Sequence, residues 1–249
     1  MTSNRFYIKQ TKLRSSSQVF LSGEEHHHLS RVARIKPKQK VWLFDSLGVS
    51  YLAQVEDINK EKTKLYILQR FEPELPSVKI TLAQALVRFK KMEFILQKAT
   101  ELGIAVFLPV ITSRSVVKIK EKEDNRKVRW QKIARAAAKQ SQRALLPLIL
   151  DPLPLERLLK DREEALKLFL SENKGKYLKE VLISSLSNSP PSISSSLIIL
   201  VGPEGGWSQQ EEKKILDSGY QAISLGQYVL RTETAALVSV AMISHFWNL

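Results

Sequence analysis

The segment Leu197-Ile198-Ile199-Leu200-Val201 is apolar at every position and runs directly into Gly202-Pro203-Glu204-Gly205-Gly206. A strand with one wet face alternates apolar and polar residues. An unbroken apolar run of strand length belongs to a strand covered on both faces, as in a parallel sheet sandwiched between helices. In open α/β sheets, ligands bind beyond the carboxyl ends of such strands, where glycines let a ligand approach the backbone. Ser208, with Glu211 three residues later, reads as a capping box opening the next helix. No Gly-Lys-Ser/Thr follows, so the loop is not a P-loop, and the Rossmann glycine spacing is absent. On spacing alone, a ligand-binding loop and a tight strand-to-helix turn are equally compatible with Leu200–Gly206.

The rest of the second half supports this class. Strand-like Val78–Leu86, helical Lys90–Leu102 ending at Gly103, strand-like Ile104–Val110 and helical Asn125–Arg143 alternate as α/β units do. A strand at Leu166–Leu170, a Ser/Pro-rich loop at Ser184–Ser196, a short strand at Ala222–Leu225 and a helix over Thr232–Phe246 complete the pattern. The first 70 or so residues read differently. Arg5–Ile8, Gln18–Leu21, Val41–Asp45, Val49–Ile58 and Thr63–Phe71 have strand character, with one short helix behind Ser22-Gly23-Glu24-Glu25, a second candidate capping box. Phe71-Glu72-Pro73-Glu74-Leu75-Pro76 is a polar, proline-bearing stretch suited to a linker. We therefore expect a small β-barrel over residues 1–72 and an α/β domain over residues 73–249.

Charge narrows the partners. Lys and Arg number 39 against 25 Asp and Glu, a formal net charge of +14, which favours polyanions. The chain has no cysteine, which excludes a disulfide scaffold, thiolate zinc sites and a cysteine nucleophile, and fits a reducing, cytoplasmic setting. Met1–Arg14 lacks the apolar core of a signal peptide, and no apolar run reaches bilayer-spanning length, so a membrane partner is not expected. His26-His27-His28 looks like a metal tract, but adjacent helical residues point about 100° apart and cannot converge on one ion. The histidines read as capping and packing residues, and no metal is expected.

Three further segments can carry chemistry. Leu225-Gly226-Gln227-Tyr228-Val229-Leu230-Arg231-Thr232-Glu233-Thr234 takes a strand into a loop, with Thr232 placed to cap the helix behind it. Arg231 beside that helix start can hold a phosphate, a carboxylate or a developing oxyanion, or it can form a structural pair with Glu233 or Glu204. Glu101 sits in the last turn of a helix, where the macrodipole disfavours a carboxylate, so it requires a partner. Lys132, Arg135, Lys139 and Arg143 step by three or four residues into one basic stripe, either a solvated face or a phosphate contact.

Taken in order, these segments resemble the RsmE-type 16S ribosomal RNA uridine-N3 methyltransferases of the SPOUT class. The resemblance rests on Arg5-Phe6-Tyr7, His27-His28-Leu29 with Val32-Ala33-Arg34, Gln97-Lys98-Ala99-Thr100-Glu101-Leu102-Gly103 with Arg114-Ser115, and Arg129-Trp130 with Ala137-Ala138-Lys139-Gln140-Ser141. Gly202–Gly206 and Leu225–Ala235 complete it. Arg88-Phe89-Lys90 stands where that family often has Lys-Gly-Asp, Ala136 where a glutamate is common, and Lys38-Gln39 where a Gly-Asp turn is usual. The resemblance implies a PUA-like β-barrel followed by a trefoil-knotted SPOUT methyltransferase domain, working as a homodimer in the cytoplasm on 16S rRNA or the small ribosomal subunit. It implies S-adenosylmethionine held by Leu200, Val201, Gly202, Pro203, Glu204, Gly205, Gly206, Leu225, Gly226, Val229, Leu230 and Thr234. Arg231 is the expected stabiliser of negative charge on the target uracil, with Glu204 or Glu233 taking the proton or orienting Arg231. Arg5, Arg31, Arg34, Lys36, Arg88, Lys132, Arg135, Lys139 and Arg143 are the expected RNA contacts.

Three rival readings remain open at this point. A non-catalytic RNA-binding or ribosome-assembly protein explains the charge and the barrel without needing two glycine-bearing loops. An enzyme of ATP or another nucleotide uses the same loops with a different ligand. A methyltransferase of the same class can act on another rRNA or tRNA position.

Overall fold

The computed structural model describes residues 4–9, 13–14, 17–115, 124–160, 164–171, 175–188 and 195–247. The chain divides into two compact units, one formed by Met1–Glu74 with Arg135–Leu146, the other by Leu75–Ala134 with Pro147–Leu249.

The first unit contains β1 (Arg5–Tyr7), β2 (Gln18–Ser22), α1 (Gly23–His27), a π-helical turn at His28–Val32, β3 (Lys40–Phe44), β4 (Ser50–Ile58) and β5 (Lys62–Phe71). The strands order as β1-β3-β4-β5-β2, parallel between β1 and β3 and antiparallel elsewhere. Alternate residues point to one core, so Val41, Leu43, Ala53, Val55, Leu65, Ile67, Val19 and Leu21 meet Phe6 and Leu29 there. Among the described residues no ladder joins β1 to β2, so the expected barrel is seen as a sheet wrapped on one core and not closed by hydrogen bonds. The expected capping box at Ser22 is also corrected. Ser22 is the N-cap but makes no side-chain cap bond. Glu25 instead accepts from the Tyr7 amide at 3.3 Å and pairs with Lys139 at 2.9 Å.

The second unit carries β6 (Val78–Ala85), α2 (Phe89–Glu101), β7 (Val106–Ile111), α3 (Asp124–Gln140), β8 (Leu148–Ile149), β9 (Leu153–Pro154) and α4 (Leu155–Lys160). It continues through β10 (Leu166–Leu170), β11 (Lys176–Tyr177), α5 (Leu178–Asn188), β12 (Ser195–Val201), α6 (Gln209–Asp217), β13 (Gln221–Ser224) and α7 (Thr232–Phe246). The last six residues of α3, Arg135–Gln140, are the exception and belong to the first unit. The sheet runs β11-β13-β10-β12-β6-β7-β8, and every pair in it is parallel. β12 lies in the middle, and both of its faces are buried as its composition demands. Leu197, Ile199 and Val201 point to one core with Met92, Ile95, Leu182 and Val240. Ile198 and Leu200 point to the other, with Leu155, Leu158 and Ile215.

The expected loop over Ser184–Ser196 is corrected at both ends, since α5 runs to Asn188 and β12 begins at Ser195; positions 189–194 lie outside the described residues. The short α4 was missed because six residues carry too little periodicity to stand out.

Two polar clusters set the ends of the central strands. Glu211 is buried. Its carboxylate accepts from the Ser113 amide at 2.7 Å, the Ser113 hydroxyl at 2.8 Å and the Ser208 amide and hydroxyl at 3.0 and 2.9 Å, which completes the capping box of α6. Burial works against ionisation of this carboxyl, but the bonds from Ser113 and Ser208 outweigh it and hold it below the usual carboxylate range. At the other cluster, the expected capping role of Thr232 is corrected. Arg231 is the N-cap of α7, and the Thr232 hydroxyl donates to the carbonyl of Gly202 at 2.6 Å while accepting from Gln84 Nε2 at 3.1 Å.

Because the folded carboxyl of Glu211 is depressed, its stabilisation is complete above the unfolded value near ~4.3 and is lost as pH falls through the folded value. Glu211→Gln is therefore expected to be less stable than the parent at pH 7, with the difference shrinking below about pH 4 in denaturant titrations. Thr232→Val removes a buried donor and acceptor and is expected to cost about 1–3 kcal/mol, seen as a lower denaturation midpoint at unchanged slope.

Candidate functional site

The carboxyl ends of β10, β12 and β13 converge on a cavity of about 310 Å3 within the second unit. This lies at the lower end of the roughly 300–1,000 Å3 typical of small-molecule sites. The loop after β12 contributes Val201, Gly202, Pro203, Glu204, Gly206 and Trp207. The segment from Ser224 to Thr232 forms the opposite wall, Leu170 and Ser171 close it from β10, and Ala235 adds the first turn of α7.

Each wall has a local cause. The Trp207 indole donates to the carbonyl of Leu170 at 2.9 Å, which links the loop after β12 to the end of β10. A Cβ at Gly202 would stand 3.2 Å from that indole ring, tight enough that the ring would have to give by a few tenths of an ångström. Gly226 has φ +149°, a conformation that residues with a Cβ rarely adopt, and it turns the second wall as β13 ends. Arg114 donates to the carbonyls of Gly205 and Trp207 at 2.6 and 3.2 Å and holds the glycine loop from outside.

The charges at the rim are arranged differently from the expected Arg231 pairs. Lys91, in the first turn of α2, lies 3.1 Å from Glu204 and 3.2 Å from Glu233. The hydrogen bond to Glu204 raises the Lys91 pKa; slight burial opposes it and Glu233 adds to it. For Glu233, burial favours the neutral form, but its backbone bond, Lys91 and the charge of Arg231 hold the carboxyl below the usual range. Arg231 itself lines the cavity and is exposed. Lys91 was missed because a lysine at a helix start carries no spacing signal; only the fold brings it to two carboxylates far along the chain.

Of the residues expected to hold a cofactor, Val201, Gly202, Pro203, Glu204, Gly206, Leu225, Gly226, Val229 and Leu230 line the cavity. Leu200 does not, because alternation turns its side chain into the core behind the sheet. Gly205 presents its carbonyl to Arg114, and Thr234 is exposed on α7 outside the lining. Trp207, Ser171 and Ala235 are lining residues that the sequence reading missed. The rule that ligands bind beyond strand ends, applied to Leu166–Leu170, would have found Ser171.

The basic residues divide into two groups. Arg31, Arg34, Lys36, Arg88 and Lys132 are exposed. In the first unit, Arg5 donates to the Gln142 carbonyl and to Ser50 and lies 5.2 Å from the Phe44 ring centre. Arg135 lies over Tyr7 at 5.1 Å, Lys139 pairs with Glu25, and burial pushes Arg143 down to about 10. Glu101 has the cationic partner its position requires, Lys98 at 3.0 Å. His26 is buried with Nδ1 2.8 Å from the Thr63 hydroxyl. Among the described residues no three His, Asp or Glu side chains cluster as a metal site, and no helix is long and apolar enough to cross a membrane.

An RNA methyltransferase domain family matches residues 73–244, and an RNA methyltransferase PUA domain matches residues 21–65. The chain is similar to the ribosomal RNA small subunit methyltransferase E of Bacillus subtilis, with 32% identity covering 97% of this chain and 96% of the relative. The enzyme of that name from Aquifex aeolicus is 31% identical, with 97% and 99% covered. Among solved structures, ribosomal RNA small subunit methyltransferase E from Neisseria gonorrhoeae, bound to S-adenosyl methionine, aligns with a TM-score of 0.87 at 32% identity over 98% of both chains. The chain thus belongs to the ribosomal RNA small subunit methyltransferase E family, an RNA methyltransferase domain preceded by a PUA-like domain.

Proposed function

We propose that this protein transfers a methyl group from S-adenosylmethionine to N3 of a uridine in 16S rRNA. The observation that carries the reading is the cavity at the ends of β10, β12 and β13. It joins the glycine loop and the Leu225–Arg231 segment, with Arg231 and Glu204 in its lining. The residues present suit the cofactor. Gly202 leaves the backbone bare beside Trp207, and Leu170, Pro203, Leu225, Val229 and Leu230 offer apolar surface around it. When bound, S-adenosylmethionine supplies an electrophilic methyl on a sulfonium, chemistry that needs no metal.

The protein's own residues prepare the acceptor. Uracil N3 carries a weakly acidic hydrogen between two carbonyls, and its lone pair is nucleophilic only as the ring becomes anionic. Arg231, at the N-cap of α7, stabilises that charge at O2 or O4 together with the positive end of the helix. The N3 proton passes to Glu204 or Glu233, and the carboxylate that does not take it orients Arg231, while the methyl leaves the sulfonium as S-adenosylhomocysteine departs. A target within folded RNA is unstacked to reach the cavity, and exposed Arg31, Arg34, Lys36, Arg88 and Lys132 grip the surrounding phosphates. We assign RNA binding to residues 1–72, a curled barrel-like domain, with Arg88 and Lys132 adding contacts from the catalytic domain, residues 73–249.

We further propose that the second domain is a trefoil knot and that the enzyme is a cytoplasmic homodimer. In support of the knot, β13 pairs with β10 on the side away from β12, while α7 returns to pack against β6 and β12. In support of the dimer, Leu237, Met242, Phe246 and Trp247 at the end of the chain stay partly exposed beside the core.

Arg231→Ala is expected to lower methylation of small-subunit RNA by roughly 10²–10³-fold with cofactor affinity nearly unchanged. Single-turnover assays beside calorimetric titration separate these effects, and full activity in the variant would exclude the assigned role. Gly202→Val is expected to weaken S-adenosylmethionine binding by about tenfold or more while leaving ATP without effect. Mass mapping of the RNA product locates the methyl. A product methylated elsewhere, or on transfer RNA only, would redirect the substrate assignment.

A further inference from the structure

We propose that Lys91 is a positioning residue of the reaction: its ammonium bridges Glu204 and Glu233 and thereby fixes the loop after β12 against the start of α7, where Arg231 stands. The inference rests on the functional reading above and adds a residue to it.

The three side chains come from α2, the glycine loop and α7, elements that approach one another only in the folded sheet. Lys91 Nζ is 3.1 Å from Glu204 and 3.2 Å from Glu233, with the three side chains 32%, 32% and 17% exposed. Such partial burial screens the pairs less than open solvent does. The location of Lys91 is unfavourable for α2 itself. The first turn of that helix carries no acidic residue, and a cation there opposes the macrodipole. The lysine is stabilised by what it reaches outside its own helix. Glu233, in contrast, sits in the first turn of α7, where a carboxylate is favoured.

The consequence is geometric and electrostatic. Glu204 lines the cavity, and Glu233 follows Arg231 by two residues. A single cation between them favours the ionised form of Glu233 and closes the distance between the two cavity walls. Without it, two neighbouring carboxylates repel, the glycine loop separates from α7, and the Arg231 guanidinium loses its fixed surroundings. With Lys91 and Arg231 against Glu204 and Glu233, the four charges sum to zero, so the rim accepts a developing anion without a standing excess of either sign.

The test compares Lys91→Met, Lys91→Gln and Lys91→Arg in the full-length protein. Lys91→Met is expected to lower kcat for RNA methylation at least tenfold, with the RNA KM changed less. Without the cation, Glu233 protonates at higher pH, so the acid limb of the kcat profile moves up by about one to three pH units. Carbon-13 NMR of the Glu233 carboxyl is expected to show the same upward displacement without any substrate present. Lys91→Arg restores both readouts, because a guanidinium can engage two carboxylates. Should Lys91→Met fail to fold, Lys91→Gln, which keeps polar reach without charge, carries the same comparison. A folded, uncharged variant with parental kcat and parental Glu233 titration overturns the proposal. So does an arginine variant as impaired as the methionine one. A parent protein inactive on small-subunit RNA would instead overturn the functional reading, and the NMR titration would still decide whether Lys91 governs Glu233.

Discussion

The hydroxyl of Thr232 donates to the carbonyl of Gly202 at 2.6 Å, and Gln84, fully buried on β6, donates to that hydroxyl at 3.1 Å. These contacts tie together the end of β12, the end of β6 and the first residue of α7. Buried polar groups of this kind are expensive to leave unpaired, which makes the junction specific as well as tight. The cavity depends on it, because its two main walls are the segments that the Thr232–Gly202 bond holds together. The rim depends on it too, since Arg231 and Glu233 flank Thr232 in the chain.

Around that junction the sheet provides rigidity and the loops provide chemistry. β12 is paired on both sides and buried on both faces, so its carboxyl end is among the best-fixed points of the domain. Trp207 and Arg114 then secure the glycine loop from the side of β10 and from outside. Glu211 ties the chain after β7 to the cap of α6. Contacts at so many points restrict the conformations open to the loop, and such pre-organisation lowers the ordering cost of binding.

In the first unit, the motif Arg5-Phe6-Tyr7 illustrates how basic residues serve packing. Arg5, Arg135, Lys139 and Arg143 were expected on an RNA face from their charge and spacing. Three of them lie against aromatic rings of β1 and β3, and the fourth, Arg143, is largely withdrawn from water. Long cationic side chains can cover apolar surface while their heads find acceptors, so a basic stripe on a helix reads alike whether it faces phosphate or a neighbouring sheet. Arg31, Arg34, Lys36, Arg88 and Lys132 are exposed.

Local pattern determined a large part of this protein. The apolar run at Leu197–Val201 required a doubly covered parallel strand, the stretch from about Thr232 to Phe246 was legible as one helix, and the Ser208–Glu211 capping box formed as its spacing required. The two glycine-bearing loops were recognisable as a site because glycines at strand ends expose backbone. What only the tertiary structure decided was convergence. Strand order places β10 beside β12 and so brings Ser171 and Leu170 into the cavity; alternation turns Leu200 away from it; and the packing of α2 near α7 delivers Lys91 to Glu204 and Glu233. Periodicity is a relation between near neighbours in the chain. These contacts join residues separated by 30 to about 140 positions, and their geometry exists only once the sheet has assembled.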